Sequence, residues 1–154
     1  LDLDGHPELL AVSPDAVHVA SGDAGWLTDT WTRTELEYAE INDLAVGDLD
    51  GDGDLDLLLA AKGALGGDHR VHVLYNDGTG TLVPAVRGVE LGAEPFALVL
   101  VDLDGDGDLD VGVSVRGPGL FTLINDGAAN FSGDLTLTTS SRLLDLEAAR
   151  EEAT

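Results

Sequence analysis

Residues 48–56 read Asp-Leu-Asp-Gly-Asp-Gly-Asp-Leu-Asp, and residues 102–110 repeat the same nine letters. Five carboxylates in so short a run repel one another. Two unit charges about 4 Å apart cost about 1 kcal/mol in water and about 4 kcal/mol at an effective dielectric near 20. Such a segment folds tightly only around positive charge, and the spacing says of what kind. Asp48, Asp50 and Asp52 occupy positions 1, 3 and 5 of a loop that wraps a hard cation, and Gly53 at position 6 permits a sharp turn. Asp54 at position 7 then offers its backbone carbonyl, and Asp56 at position 9 a last carboxylate. In the second loop Asp102, Asp104, Asp106, Asp108 and Asp110 take the same places. An all-oxygen, carboxylate-rich set suits Ca²⁺ better than Mg²⁺, which keeps more of its water.

The elements that carry these loops decide which calcium motif this is. An EF-hand needs Glu at position 12 and a helix on each side. Position 12 is Leu59 in one copy and Val113 in the other. The flanks read as strands, Leu44-Ala45-Val46 and 96–101 before the loops, 55–60 and 109–115 after them. The EF-hand is therefore rejected, and a strand–loop–strand site closed by a ninth-position Asp remains. A second motif follows each loop, Val73-Leu74-Tyr75-Asn76-Asp77-Gly78-Thr79-Gly80-Thr81 and Thr122-Leu123-Ile124-Asn125-Asp126-Gly127. With both motifs the chain resembles the FG-GAP/VCBS-type repeats that form calcium-binding blades of β-propellers, as in integrin α-chain N-terminal heads and many bacterial surface proteins. The Phe-Gly…Gly-Ala-Pro signature is absent, so the bacterial form is the closer likeness and no integrin-like ligand follows.

A third, truncated copy opens the chain. Aligning Gly5 with Gly53 puts Asp2, Asp4 and Glu8 at positions 3, 5 and 9, with position 1 missing, so this site should bind weakly or not at all. Loop starts then fall 48 and 54 residues apart, a spacing typical of propeller or array repeats. The expectation is an all-β chain, a β-propeller segment of about three four-stranded blades over units of about 1–40, 41–94 and 95–140. Propellers close with four to eight blades, so three make an incomplete propeller with raw faces, and no polar cap is read at the N-terminal one. The chain starts in mid-motif without a Met, which suggests a piece of a longer protein with no signal peptide of its own.

Read in order, strands are expected at 9–12, 16–20 and 30–38, with Asp23, Gly25 and Asp29 marking loops. Strands at 41–47, 55–61, 70–75 and 81–86 should follow, the last as an outer strand because Pro84 suits an edge. The third unit repeats this with 96–101, 111–115, 120–124 and 135–138. Asn76-Asp77-Gly78 is a hairpin signal because these residues tolerate positive φ. The tail 141–154 has two readings. Its helix formers favour a helix, while Asp145-Leu146-Glu147-Ala148-Ala149 aligns with Asp43-Leu44-Ala45-Val46-Gly47 as the inner strand of a decayed next blade.

The formal charge is −23, from 30 acids and 7 bases. Thirteen acids belong to the two loops and the first copy. The other 17 still outnumber the bases and leave about −10, which argues against nucleic acid and against anionic membrane surfaces. No cysteine is present, so there is no disulfide and no thiolate metal site. No apolar run is long enough to span a membrane. His6, His18, His69 and His72 show no zinc spacing. Ser114 lacks the second glycine of a nucleophile elbow. Trp26 and Trp31 could form a sugar-stacking platform on a loop, but core or inter-blade packing is the preferred reading. Nearly every clustered acid already belongs to a loop, so none is left for a catalytic pair and no enzyme activity is expected in this segment. The resemblance implies two full Ca²⁺ sites and one incomplete, with structural calcium. It implies an extracellular, cell-surface or periplasmic scaffold for adhesion or for binding a surface protein or glycan, completed by the remaining blades of the same propeller. The rival reading is the non-catalytic propeller portion of a secreted polysaccharide-degrading or redox enzyme.

Overall fold

Leu57-Leu58-Leu59-Ala60-Ala61 is apolar without alternation, the pattern of a strand covered on both faces. A computed structural model of the chain describes residues 8–23, 26–36, 40–62, 69–85, 88–117, 119–138 and 146. In it this run forms β5 (Asp56–Lys62), buried from Asp56 to Ala61. Its side chains alternate between two cores. Leu57 and Leu59 join Val17, Val19, Leu36, Leu74 and Leu82. Leu58 and Ala60 join Leu98, Val111, Val113 and Leu123. Each fully buried Leu contributes about 1.5–3 kcal/mol, so this one strand ties two layers together.

The described residues are all-β, in three separate antiparallel sheets, none closed on itself. The first sheet holds β1 (Leu9–Ser13), β2 (Ala16–Asp23) and β3 (Trp26–Glu35). The second holds β4 (Glu40–Gly47), β5, β6 (His69–Asn76) and β7 (Leu82–Pro84) in that order, with β8 (Val89–Glu90) also paired to β6. The third runs β9 (Pro95–Val101), β10 (Asp110–Val115), β11 (Gly119–Asn125) and β12 (Phe131–Thr138), again in sequence order. Such meanders, with sheets packed face against face, are the arrangement of propeller blades and agree with the all-β, incomplete-propeller expectation. The strand counts differ from a uniform four. The two-residue β8 was not foreseen, because a pair so short carries no periodicity.

The inner strands of the second and third sheets lean on each other through polar links. The Leu98 N–H donates to Asp43 Oδ2 (2.7 Å), and Asn42 Nδ2 donates to the Pro95 carbonyl (2.7 Å). Thr34 Oγ1 donates to the Leu82 carbonyl (3.4 Å) between the first and second sheets.

Several local expectations are corrected. Asp29 lies within β3 rather than in a loop, because β2 and β3 stay paired out to Asp23 and Trp26. Trp31 is 47% exposed and packs into neither core. It stands on the row Leu9–Ala20–Trp31, which faces away from the second sheet. That face also carries a polar network the sequence reading did not anticipate. Ser13 Oγ donates to Asp15 Oδ1 (2.7 Å), Arg33 Nη2 donates to Asp15 Oδ2 (2.8 Å), and Arg33 also pairs with Glu35. Ser114 is fully buried, and its hydroxyl accepts from the Ala97 N–H (3.1 Å) beside a bulge in the β9–β10 pairing. It is a structural residue. The tail from 141 onward lies outside the described residues except for Leu146.

Candidate metal centres

Each Asp-rich loop joins the innermost strand of a sheet to the next one, β4 to β5 and β9 to β10. The hairpin cannot close tightly with five like charges, so the chain folds the loop through its own backbone N–H groups. Gly51 N–H donates to Asp48 Oδ1 (2.8 Å) and Gly53 N–H to Asp48 Oδ2 (3.2 Å). Asp52 N–H donates to Asp50 Oδ1 (3.3 Å), and Asp54 N–H to Asp52 Oδ1 (2.8 Å). The second loop repeats the set. Gly105 and Gly107 donate to Asp102 (2.7 and 3.2 Å), Asp106 to Asp104 (3.2 Å), and Asp108 to Asp106 (3.0 Å). These are successive turns in which a short carboxylate bonds the backbone two or more residues on. They require left-handed backbone at Gly51 (φ 77°) and Gly53 (φ 94°), which explains the twin glycines.

The ninth-position aspartates do something different. Asp56 is fully buried and receives two backbone N–H groups, from Leu49 at Oδ2 (3.1 Å) and from Asn76 at Oδ1 (2.9 Å). Asp110 receives Leu103 N–H (2.7 Å) and Asn125 N–H (2.8 Å) in the same way. One carboxylate thus clasps the start of its loop to the end of the third strand of its sheet, β6 or β11.

Carboxylate oxygens of Asp48, Asp50 and Asp56 lie within 4.8 Å of one another, as do those of Asp102, Asp104 and Asp106. Oxygens bound at about 2.4 Å to one Ca²⁺ can stand at most about 4.8 Å apart, so each trio fits a common centre. The donor set is hard and all-oxygen, and the residues present fit a divalent cation. The two trios differ. Asp56 is the third member of the first, and Asp106 the third member of the second. Asp54 and Asp108 turn their side chains onto the second motif, where a Cβ on Gly78 or Gly127 would strike their carboxylates. Spacing alone gave position 7 only a carbonyl role. The glycine of each Asn-Asp-Gly was the signal for this contact. Asp2 and Asp4 lie outside the described residues, and Glu8 is half-buried just before β1.

The charge crowding shows in the carboxyl groups. Burial, then the charges of Asp52 and Asp48, push Asp50 above the ordinary carboxylate range. Burial pushes Asp56 up against the pull of its two backbone donors. Asp104 and Asp108 are raised by desolvation and then by neighbouring aspartates, Asp106 first in each case. A cation in the loop would relieve this crowding. Glu94 contrasts with them. Burial would raise it, but the Arg116 guanidinium donating to it (2.7 Å) and the charges of Lys62 and Arg116 bring it net below the usual value.

A cross-sheet contact, not foreseen from the sequence, joins the second motif of the third sheet to the loop of the second. Asn125 Nδ2 donates to the Leu49 carbonyl (2.8 Å) and to the Leu109 carbonyl (3.2 Å). Ala129 N–H donates to the same Leu49 carbonyl (3.1 Å). Leu49 is 1% exposed and shares a core cluster with Ala129. Ala129 holds φ at 54°, unusual for a residue with a Cβ.

A family model described as FG-GAP-like repeat matches residues 1–59 and again 60–113. Each matched span ends shortly after one Asp-rich loop. Among curated proteins nothing matches the chain.

Proposed function

The chain belongs to the FG-GAP-like repeat family, and on that premise we propose that it is a calcium-stabilised blade segment of an extracellular β-propeller, serving as a scaffold for binding a surface protein or glycan. The observation that carries the calcium reading is the near-identical hydrogen-bond pattern of the two loops, each folded so that three carboxylates converge within 4.8 Å. Asp48, Asp50 and Asp56 would hold the ion in the first loop, and Asp102, Asp104 and Asp106 in the second. Asp52, Asp110 and the carbonyls of Asp54 and Asp108 complete the sets expected from spacing. The residues need no chemistry beyond holding charge. Each loop bridges two strands, so binding free energy becomes folding free energy. FG-GAP repeats are typically structural rather than catalytic, and extracellular proteins are their usual setting, where calcium can do the stapling that disulfides do elsewhere.

Thermal unfolding with calcium and with chelator tests the metal role. Calcium should raise the melting temperature, and Mg²⁺ should rescue the chelated protein poorly. Equal melting in both conditions would remove it. The binding role is tested with the complete propeller on a glycan array and against surface proteins, where silence would leave a purely structural spacer.

A further inference from the structure

One corner of the third sheet touches both Asp-rich loops. The corner, Asn125-Asp126-Gly127-Ala128-Ala129, leaves the end of β11 and is held stiff from within. Asn125 Oδ1 accepts the Gly127 N–H (3.2 Å). The Asp126 carboxylate accepts the N–H groups of Ala128 (3.1 Å) and Asn130 (3.3 Å) and the Asn130 side-chain amide. On the second loop the corner meets positions 7 to 9. Gly127 abuts the Asp108 carboxylate, the Asn125 amide donates to the Leu109 carbonyl (3.2 Å), and the Asn125 backbone N–H donates to Asp110 (2.8 Å). On the first loop it meets positions 2 and 4. The Asn125 amide and the Ala129 N–H donate to the Leu49 carbonyl, and the Gly127 carbonyl oxygen stands 3.5 Å from where a Cβ of Gly51 would lie.

The place of Leu49 gives this contact its weight. Its chain neighbours are Asp48 and Asp50, and its N–H donates to Asp56. All three members of the first carboxylate trio are thus attached to one residue, whose carbonyl is held by the third sheet. Asn125 is 3% exposed, so little water competes for its hydrogen bonds.

We propose that Asn125 is a positioning residue for both metal loops and couples them, so that filling one loop raises the affinity of the other. The proposal rests on the calcium reading of the loops. With the second loop filled, residues 108–110 are fixed, and so is the corner bonded to them through Asn125 and Gly127. The fixed corner holds Leu49, and with it Asp48, Asp50 and Asp56, in their convergent arrangement before the first loop is filled. The ordering of the shared corner is then needed only once for two ions, which makes the coupling positive. Linkage makes it equal in both directions. Repulsion between two divalent ions opposes it, and 0.15 M salt screens charges more than about 8 Å apart.

Calorimetric titrations with calcium in 0.15 M salt compare the full chain with Asp48→Asn and Asp102→Asn, each of which keeps one loop. The overall constant for two ions in the full chain should exceed the product of the two single-loop constants by at least about fivefold. Asn125→Ala in all three backgrounds should bring that ratio to about one. A residue that served stability alone would lower the melting temperature and leave the ratio as it was. Hydrogen exchange reads the same link with Asn125 intact. In Asp48→Asn, calcium should slow exchange in residues 48–56 as well as in 102–110, although only the second loop is filled. A ratio near one in the full chain, a ratio unchanged by Asn125→Ala, or protection confined to residues 102–110 in Asp48→Asn would each overturn the coupling and leave two independent calcium sites standing. No calcium binding in any of the proteins would overturn the calcium reading and the coupling together.

Discussion

Replacing Asp56 separates the two jobs that the ninth position of the loop performs. Its carboxylate is fully buried and accepts the Leu49 and Asn76 N–H groups at 3.1 and 2.9 Å. Asp56→Ala leaves both donors buried without a partner, at about 1–3 kcal/mol each. A central value of about 4 kcal/mol in a chain of this size lowers the melting temperature by about 8–16 °C. That loss needs no metal and should appear in chelator. Asp48→Asn is the contrast. Its acceptors serve the exposed N–H groups of Gly51 and Gly53, which water can satisfy, and the change removes one charge from the crowded group. In chelator it should therefore move stability by less than about 1 kcal/mol. In calcium it should forfeit most of the ligand stabilisation, about 2.7 kcal/mol when calcium stands at a hundred times Kd. Far-UV circular dichroism melts of the two variants, with and without chelator, read both effects. If Asp56→Ala is no more damaging in chelator than Asp48→Asn, the clasp assigned to Asp56 is wrong.

Other outcomes follow from the same geometry. Asn125→Ala removes a buried side-chain hydrogen bond from the third sheet to the Leu49 carbonyl of the second, and a half-buried one to Leu109 within the third. It should cost about 1–3 kcal/mol and speed amide exchange in β10 and β11 more than in β2, as hydrogen-exchange mass spectrometry would reveal. The metal-free protein should grow more stable as pH falls from neutral toward 4. Asp50, Asp56, Asp104 and Asp108 hold protons more tightly folded than unfolded, so stability is lost as pH rises through their raised folded values. With calcium bound the slope should reverse, because protons then compete with the ion, and melts across pH with and without calcium would show any failure of the reversal. Glu94 has a depressed folded value, so its stabilisation is present above the ordinary range near 4.5 and lost as pH falls through the depressed value. Glu94→Gln should flatten that acid limb.

Spacing was informative where a local rule fixes the outcome. Alternate aspartates with twin glycines foretold the loops, because backbone turns of that length need left-handed residues at Gly51 and Gly53. The runs 55–60 and 109–115 after the loops read as strands, and β5 and β10 occupy them. What stayed hidden was non-local. Asn125 reads as a hairpin former, and nothing in the letters says that its amide reaches a carbonyl 76 residues earlier. The choice among carboxylates was equally opaque. In one nonamer Asp56 joins Asp48 and Asp50, in the other Asp106 joins Asp102 and Asp104, and the identical letters cannot distinguish the two. Of the readings open for Trp31 the core one fails, because its strand pairing places it on the outer face of the first sheet.

The most direct test is a calorimetric titration of the metal-free chain with calcium at neutral pH. Two strong sites per chain are expected, falling to one in Asp48→Asn and to one in Asp102→Asn. No heat of binding, or clearly more than two strong sites, would contradict the assignment of one ion to each Asp-rich loop.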